Sequence, residues 1–183
     1  MPEPESPQLE TERLWLCAWS EADLEVARPI FTDADVMRYI NGGRPLGDAE
    51  IHSFIARQMN HLRSRGFCLW KLLLKPERRF AGFCGLQPLE LDGKSEVEIG
   101  WRLVKECWAR GLATEAAHAA LISAVNNARL KRVIAIAMPE NRPSLRVMEK
   151  LEMRFELATR KAGFDVVVYS RSFAPQETAD QTL

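Results

Sequence analysis

At 183 residues the chain is a little over one domain's worth, long enough to bury roughly 70% of its unfolded surface without disulfides or a metal. Lys+Arg and Asp+Glu number 25 each, and a formal net charge of zero argues against a dedicated binder of nucleic acid or anionic membrane. An apolar share of 46% beside 27% charged residues describes an ordinary globular chain and excludes an intrinsically disordered one.

Residues 1–10 and 174–183 read as flexible polar tails, poor in apolar side chains. The first eight lack the basic and apolar segments of a signal peptide, and no run reaches the ~18 apolar residues of a membrane span, so a cytoplasmic location is expected. Without internal repeats or a linker, 11–173 reads as one domain.

The run 13–17 predicts a first strand. Ser20 and Asp23 open a helix to about residue 28, which Pro29 ends or bends. A short helix over 33–40 and an Asn-Gly-Gly-Arg-Pro loop over 41–45 follow. Asp48 starts the clearest helix of this half, with Ile51, Phe54, Ile55, Met59 and Leu62 at helical spacing and Gly66 at its C-terminal cap. The period then changes. Runs 67–75, 79–91 and 96–104 predict an antiparallel meander, with Asp92-Gly93 turning the second hairpin and Pro88 bending or unpairing the middle strand. A helix opens within 108–116 and runs to about 128. A buried strand over 132–138, a loop over 139–142, a helix over 143–151 and a hairpin over 155–173 complete the order. A meander followed by strand–helix crossings specifies a mixed α/β sheet with helices on both faces.

Cys17, Cys68, Cys84 and Cys107 form no C-x-x-C pair and no Cys/His cluster, so no metal is expected and a reducing compartment is the simplest setting. Chemistry concentrates in 98–116, EIGWRLVKECWARGLATEA. Here a strand gives way to a basic loop and then a helix, whose first N–H groups suit a phosphate. Gly111 admits a close backbone approach. Ala113 is small, Thr114 adds a hydroxyl, and Lys105 and Arg110 add charge. Neither a P-loop nor a three-glycine dinucleotide fingerprint is present. The alternative is a plain strand–helix connection. A second segment, Asn141-x-x-Ser144 followed by Arg146, Met148, Glu149 and Lys150, also opens a helix after a strand. Its Asn and Ser either cap that helix or face a ligand.

Taken in order, Thr11-Glu-Arg-Leu-Trp-Leu, Asp35-Val-Met-Arg-Tyr, Glu98-Ile-Gly-Trp, Trp108-x-Arg-Gly-Leu-Ala-Thr-Glu-Ala, Asn141-x-x-Ser-x-x-Val-Met-Glu-Lys and Asp165-Val-Val-Val-Tyr-Ser resemble the GNAT superfamily of N-acetyltransferases, in its RimJ/RimL-like branch, over nearly all of 11–173. The resemblance implies a seven-stranded mixed sheet that splays between its fourth and fifth strands, with acetyl-CoA in the split. It implies backbone contacts from Leu103 and Val104 to the pantetheine arm and a pyrophosphate cradle from Arg110, Gly111, Leu112, Ala113 and Thr114. It also places Asn141 near the pantetheine and Ser144 near the sulfur. Four positions depart from the family pattern: Lys105 for a usual proline, Trp108 at the head of the signature, Ala109 for a usual glycine, and Glu152 for the glycine after the helix.

The implied reaction is direct transfer of acetyl to a primary amine, either a protein N-terminus or a small molecule. The attacking amine must be neutral, so an alkyl amine of pKa ~10.4 needs a base more than an α-amine of ~7.7–8.0 does. Glu98 is the candidate base, and Glu96, two residues earlier on the same strand face, is its competitor. Ser144 is the candidate donor to the departing thiolate, and the backbone around Leu103 the donor to the carbonyl oxygen. Cys107 adjoins the loop, but nothing in its surroundings activates it as a nucleophile. The acceptor side is expected from 31–44 and the last hairpin, with Tyr39, Trp101 and Tyr169 as possible lining and Arg38 and Arg44 as cations toward an acidic substrate. A non-catalytic CoA-binding module and a plain nucleotide-binding or structural α/β domain are the competing readings. The acceptor's identity and a monomeric or homodimeric state stay open.

Overall fold

The computed structural model describes residues 7–173. Residues 1–6 and 174–183, which hold most of the expected tails, lie outside the described residues. The sheet begins earlier than expected. β1 (Leu9–Glu10) pairs antiparallel with β2 (Leu14–Cys17), Leu9 opposite Leu16, and the N–H of Gln8 donates to the Leu16 carbonyl at 2.8 Å. Leu9 packs on the core, and that contact holds two residues of the expected tail in place as an edge strand.

β3 (Leu69–Leu74), β4 (Arg79–Leu91) and β5 (Lys94–Leu103) continue from β2 as the antiparallel meander. β6 (Arg132–Ala137) lies parallel to β5, and β8 (Phe164–Ser172) and β7 (Arg154–Lys161) close the far edge. The sheet has eight strands in the order β1-β2-β3-β4-β5-β6-β8-β7, one more than the seven expected because of β1.

α1 (Leu24–Thr32) runs straight through Pro29. Pro29 sits on the exposed face, and the carbonyl it leaves without a donor, that of exposed Glu25, is open to water. Pro88 does not break β4 either; it stays in register opposite Val97. The N–H of Leu86 donates across to the Cys68 carbonyl at 3.0 Å, so the missing N–H of Pro88 faces the same side, beyond the end of β3.

α2 (Ala34–Met37) is capped by Asp33, whose carboxylate accepts the N–H groups of Asp35 and Val36. α3 (Asp48–Arg65) ends on left-handed Gly66, as its sequence predicts. On one face of the sheet, α1 and α3 pack an aromatic cluster of Trp19, Phe31, Phe54 and Phe83. On the other lie α4 (Leu112–Asn126) and α5 (Arg142–Lys150). Ala116, Ala117, Ala120 and Ala124 are fully buried, and their small side chains bring α4 close to the strands. Among the described residues, no helix is long and apolar enough to cross a membrane.

Candidate active site

The sheet is discontinuous in one place. β5 and β6 share a single pairing, Glu98 opposite Ile134. Beyond it the two parallel strands part, and both C-terminal ends open onto the same crevice. Such a crevice outside strand C-termini is where open α/β sheets take their ligands.

The 3₁₀ turn Lys105–Cys107 leaves β5 and leads to the start of α4. Ala109 (φ 56°) and Gly111 (φ 78°) are both left-handed. Alternating handedness of this kind turns successive N–H groups outward into one concavity. Among the described residues, none of the N–H groups from Ala109 to Thr114 donates to a backbone carbonyl, and the first to do so is that of Glu115, to Gly111 at 3.0 Å. Six adjacent donors at the start of a 15-residue helix form a cradle for an anion. The helix proper begins at Leu112, four residues later than position 108, so the first three of the six donors precede the helix. Leu112 contributes only its backbone, because its side chain is fully buried. Ala109 adopts a conformation that costs a non-glycine residue ~1–2 kcal/mol. Glycine there, less its own entropy cost, is expected to stabilise the fold by ~0.5–1 kcal/mol and raise the melting temperature by ~1–4 °C. A calorimetric scan of A109G that shows a lower midpoint would contradict this.

A network absent from the sequence reading fixes this turn. The Glu115 carboxylate accepts the Thr11 hydroxyl at 2.6 Å, the Arg13 N–H at 2.9 Å and the Arg13 Nε at 2.6 Å. Arg13 Nη1 donates to the Arg110 carbonyl at 2.9 Å. Burial alone would raise the Glu115 pKa, but these donors outweigh it and hold it below the usual carboxylate range. The chain segment before β2 is thereby clamped to the cradle. The Thr-x-Arg and Glu motifs are visible in the sequence, but their 102-residue separation hides the link.

Lys105 turns away from the cradle and pairs with Asp35 on α2. That removes one of the two charges expected there and leaves Arg110, which is exposed. Val104 donates its N–H to Ala81 at 3.0 Å, so that donor is spent within the sheet. Backbone direction alternates along a strand. Leu103, and Trp101 two residues before it, therefore face the split, where the Leu103 carbonyl accepts the Trp108 indole N–H at 2.8 Å.

Glu98 is buried at the point where the split opens, 9% exposed, and accepts Gln87 Nε2 at 2.8 Å. Burial pushes its pKa up, partly countered by the Gln87 hydrogen bond and the charge of Lys161. Glu96 is instead ion-paired with Arg132 at 3.2 Å, and Arg132 also holds Glu156 at 2.9 Å. Across the split, Asn141 caps α5 by accepting the Ser144 N–H at 3.3 Å, and both residues are partly buried. Burial raises the Cys107 thiol pKa.

The other sheet face carries the acceptor-side elements. Gly42, in the 3₁₀ turn Asn41–Gly43, lies against Phe164 at the tip of the last hairpin, and a Cβ at Gly42 would meet that ring at 3.1 Å. The two expected acceptor walls thus touch. Trp101 and Tyr169 pack on the α4 side, so they line the opposite face. Arg38 and Arg44 are paired with Asp35 and Glu50.

A family model described as an acetyltransferase (GNAT) domain matches residues 13–154. YkkB of Bacillus subtilis (strain 168), an uncharacterised protein, is 30% identical over 142 residues, 78% of this chain and 81% of its own. A GNAT-family acetyltransferase structure from Bacillus anthracis superposes with a TM-score of 0.74 at 29% identity, covering 90% of this chain and 97% of that one. RimL, a ribosomal L7/L12 α-N-protein acetyltransferase solved with coenzyme A, shares the fold with a TM-score of 0.71 at 16% identity, covering 88% and 95%.

Proposed function

We propose that this chain, which belongs to the acetyltransferase (GNAT) family, moves an acetyl group from acetyl-CoA to a primary amine by direct transfer, on the pattern of its RimJ/RimL-like branch. The observation that carries this reading is the row of six N–H groups from Ala109 to Thr114 that donate to no backbone carbonyl among the described residues, set beside a split sheet with a buried carboxylate where the split opens. A row of backbone donors matches a pyrophosphate, and a slot between parting strands matches an extended pantetheine chain that pairs with backbone.

Acetyl-CoA supplies the acetyl group as an activated thioester. Leu103 and Trp101 would offer strand N–H groups along the split, one of them to the oxygen that gains charge during transfer. The Asn141 side-chain amide N–H groups would donate to the pantetheine arm while its oxygen caps α5. The Ser144 hydroxyl would donate a hydrogen bond to the leaving thiolate, directly or through water, while the proton taken from the acceptor nitrogen is returned to the sulfur by way of solvent. Glu98 would take the proton of the acceptor nitrogen, since its raised pKa brings its basicity nearer neutral pH. Glu96 is committed to Arg132 and is the weaker base on this reading. Four buried cysteines outside any disulfide fit a reducing cytoplasm.

A thermal melt with acetyl-CoA, and ATP as control, tests the co-substrate. A ligand at ~100 times its dissociation constant adds ~2.7 kcal/mol, so the midpoint is expected to rise by ~5–11 °C. No rise at saturation rejects the reading. A rise without thiol release from any amine leaves a CoA-binding module.

A further inference from the structure

Arg102 stands on β5 four residues after Glu98, so both side chains leave the same sheet face, about 13 Å apart along the strand. Its guanidinium lies 5.2 Å from the Phe31 ring and 5.1 Å from the Phe83 ring, and Nη1 reaches Met37 Sδ at 3.4 Å. Nε is buried with no hydrogen-bond partner. Among the described residues no carboxylate pairs with it, and burial pushes its pKa down to about 10. The nearby cations differ in this respect: Arg38 and Lys105 share Asp35, and Arg44 holds Glu50.

A desolvated cation without an anion is costly, and two aromatic faces compensate only part of that cost. The residue is only partly buried, so the niche is open on one side. Phe31 and Met37 belong to the segment that faces the acceptor. A guanidinium fork matches a carboxylate with two parallel hydrogen bonds. One lone cation in an apolar niche balances one negative charge; a doubly charged phosphate would call for a second cation, and the neighbouring ones are taken.

We infer that Arg102 is the specificity residue of the acceptor site and that the acceptor is an amine carrying a carboxylate at a distance, a short peptide held by its C-terminal carboxylate while its N-terminal nitrogen faces Glu98. The inference rests on the acetyltransferase reading above.

The test compares matched acceptors by free-thiol release: dipeptides and tripeptides against their C-terminal amides. The carboxylated member of each pair is expected to win by about 10- to 100-fold in kcat/KM, the range of a charge-assisted hydrogen bond. In R102M that ratio falls to about one, and R102K, which keeps the charge without the fork, retains part of it. A preserved acetyl-CoA-dependent melt shift shows that R102M is folded. Equal rates within the pairs of the wild type, or a preference that survives in R102M, overturn the inference. So does thiol release from none of these amines while acetyl-CoA still raises the melting temperature. Loss of that melt shift in the wild type rejects the acetyltransferase reading itself.

Discussion

Replacing Glu98 by glutamine is expected to lower kcat by about 10²- to 10⁴-fold and, at the same time, to raise the melting temperature at neutral pH. Both effects come from burial. The folded chain raises the Glu98 pKa above its unfolded value, so between the two values the native state holds the extra proton. Stability from this group is therefore full below the unfolded value of ~4.3 and falls as pH rises through the folded value. At neutral pH and above, the ionised carboxylate is a net cost that glutamine removes, while its amide oxygen still accepts from Gln87. The stability gain of E98Q should shrink on acidification. Activity runs the other way. Wild-type kcat should climb as Glu98 ionises, and E98Q should lose that acid limb. Rate profiles from pH 5 to 9 on both proteins decide it. An E98Q rate within threefold of wild type assigns the proton transfer elsewhere. Glu96→Gln breaks the Arg132 pair and is expected to keep the limb.

Removing Glu115 should damage fold and co-substrate binding together. Alanine there strands the Thr11 hydroxyl, the Arg13 N–H and the Arg13 guanidinium, all of which converge on the carboxylate. Charge-assisted bonds of this kind are worth ~1.5–3 kcal/mol each. Arg13 is 44% exposed and Glu115 18%, so water screens part of the ion pair. A loss of ~2–3 kcal/mol, or ~4–12 °C in melting temperature, is expected. The freed Arg13 also releases the Arg110 carbonyl, so the acetyl-CoA dissociation constant should rise by about tenfold, the equivalent of one such bond. Because the folded pKa of Glu115 is lowered, its contribution is present above the unfolded value of ~4.3 and fades as pH falls through the folded value. Wild type and E115A should therefore converge in stability in acid. Thr11→Val, which removes one donor to the carboxylate and the acceptor of the Leu14 N–H, should show a smaller form of both losses. An E115A protein that melts and binds acetyl-CoA as wild type does would make the clamp irrelevant to the cradle.

Much of the fold is local and was legible as such. Alternating apolar residues, the Asp92-Gly93 turn, Gly66 as a cap and the alanine-rich run of α4 each act within a few residues, so their pattern survives in the linear chain. The glycine turn before α4 was legible for the same reason: Gly111 and the helix start lie side by side in sequence. The helix continues past Pro29 and β4 keeps its pairing to β5 at Pro88, because a missing N–H matters only if something stands opposite it. Pro88 faces the space beyond the end of β3, and the carbonyl left by Pro29 faces water.

Charge partners were not legible, because they are set by distance in space. Lys105 and Asp35 are 70 residues apart, and Arg13 and Glu115 are 102. The sequence marked Arg38 and Arg44 as cations for an acidic ligand, whereas folding gives both a carboxylate and leaves Arg102 with none. By itself the sequence determined the strand and helix order from β2 onward, the family resemblance and the glycine turn, all products of short-range periodicity and backbone sterics. Tertiary structure alone decided where β5 and β6 part, which glutamate is buried and which is paired, and that Arg102 is desolvated against two aromatic rings with no carboxylate beside it among the described residues. Those depend on desolvation and Coulomb energy, and both are set by which distant segments pack together.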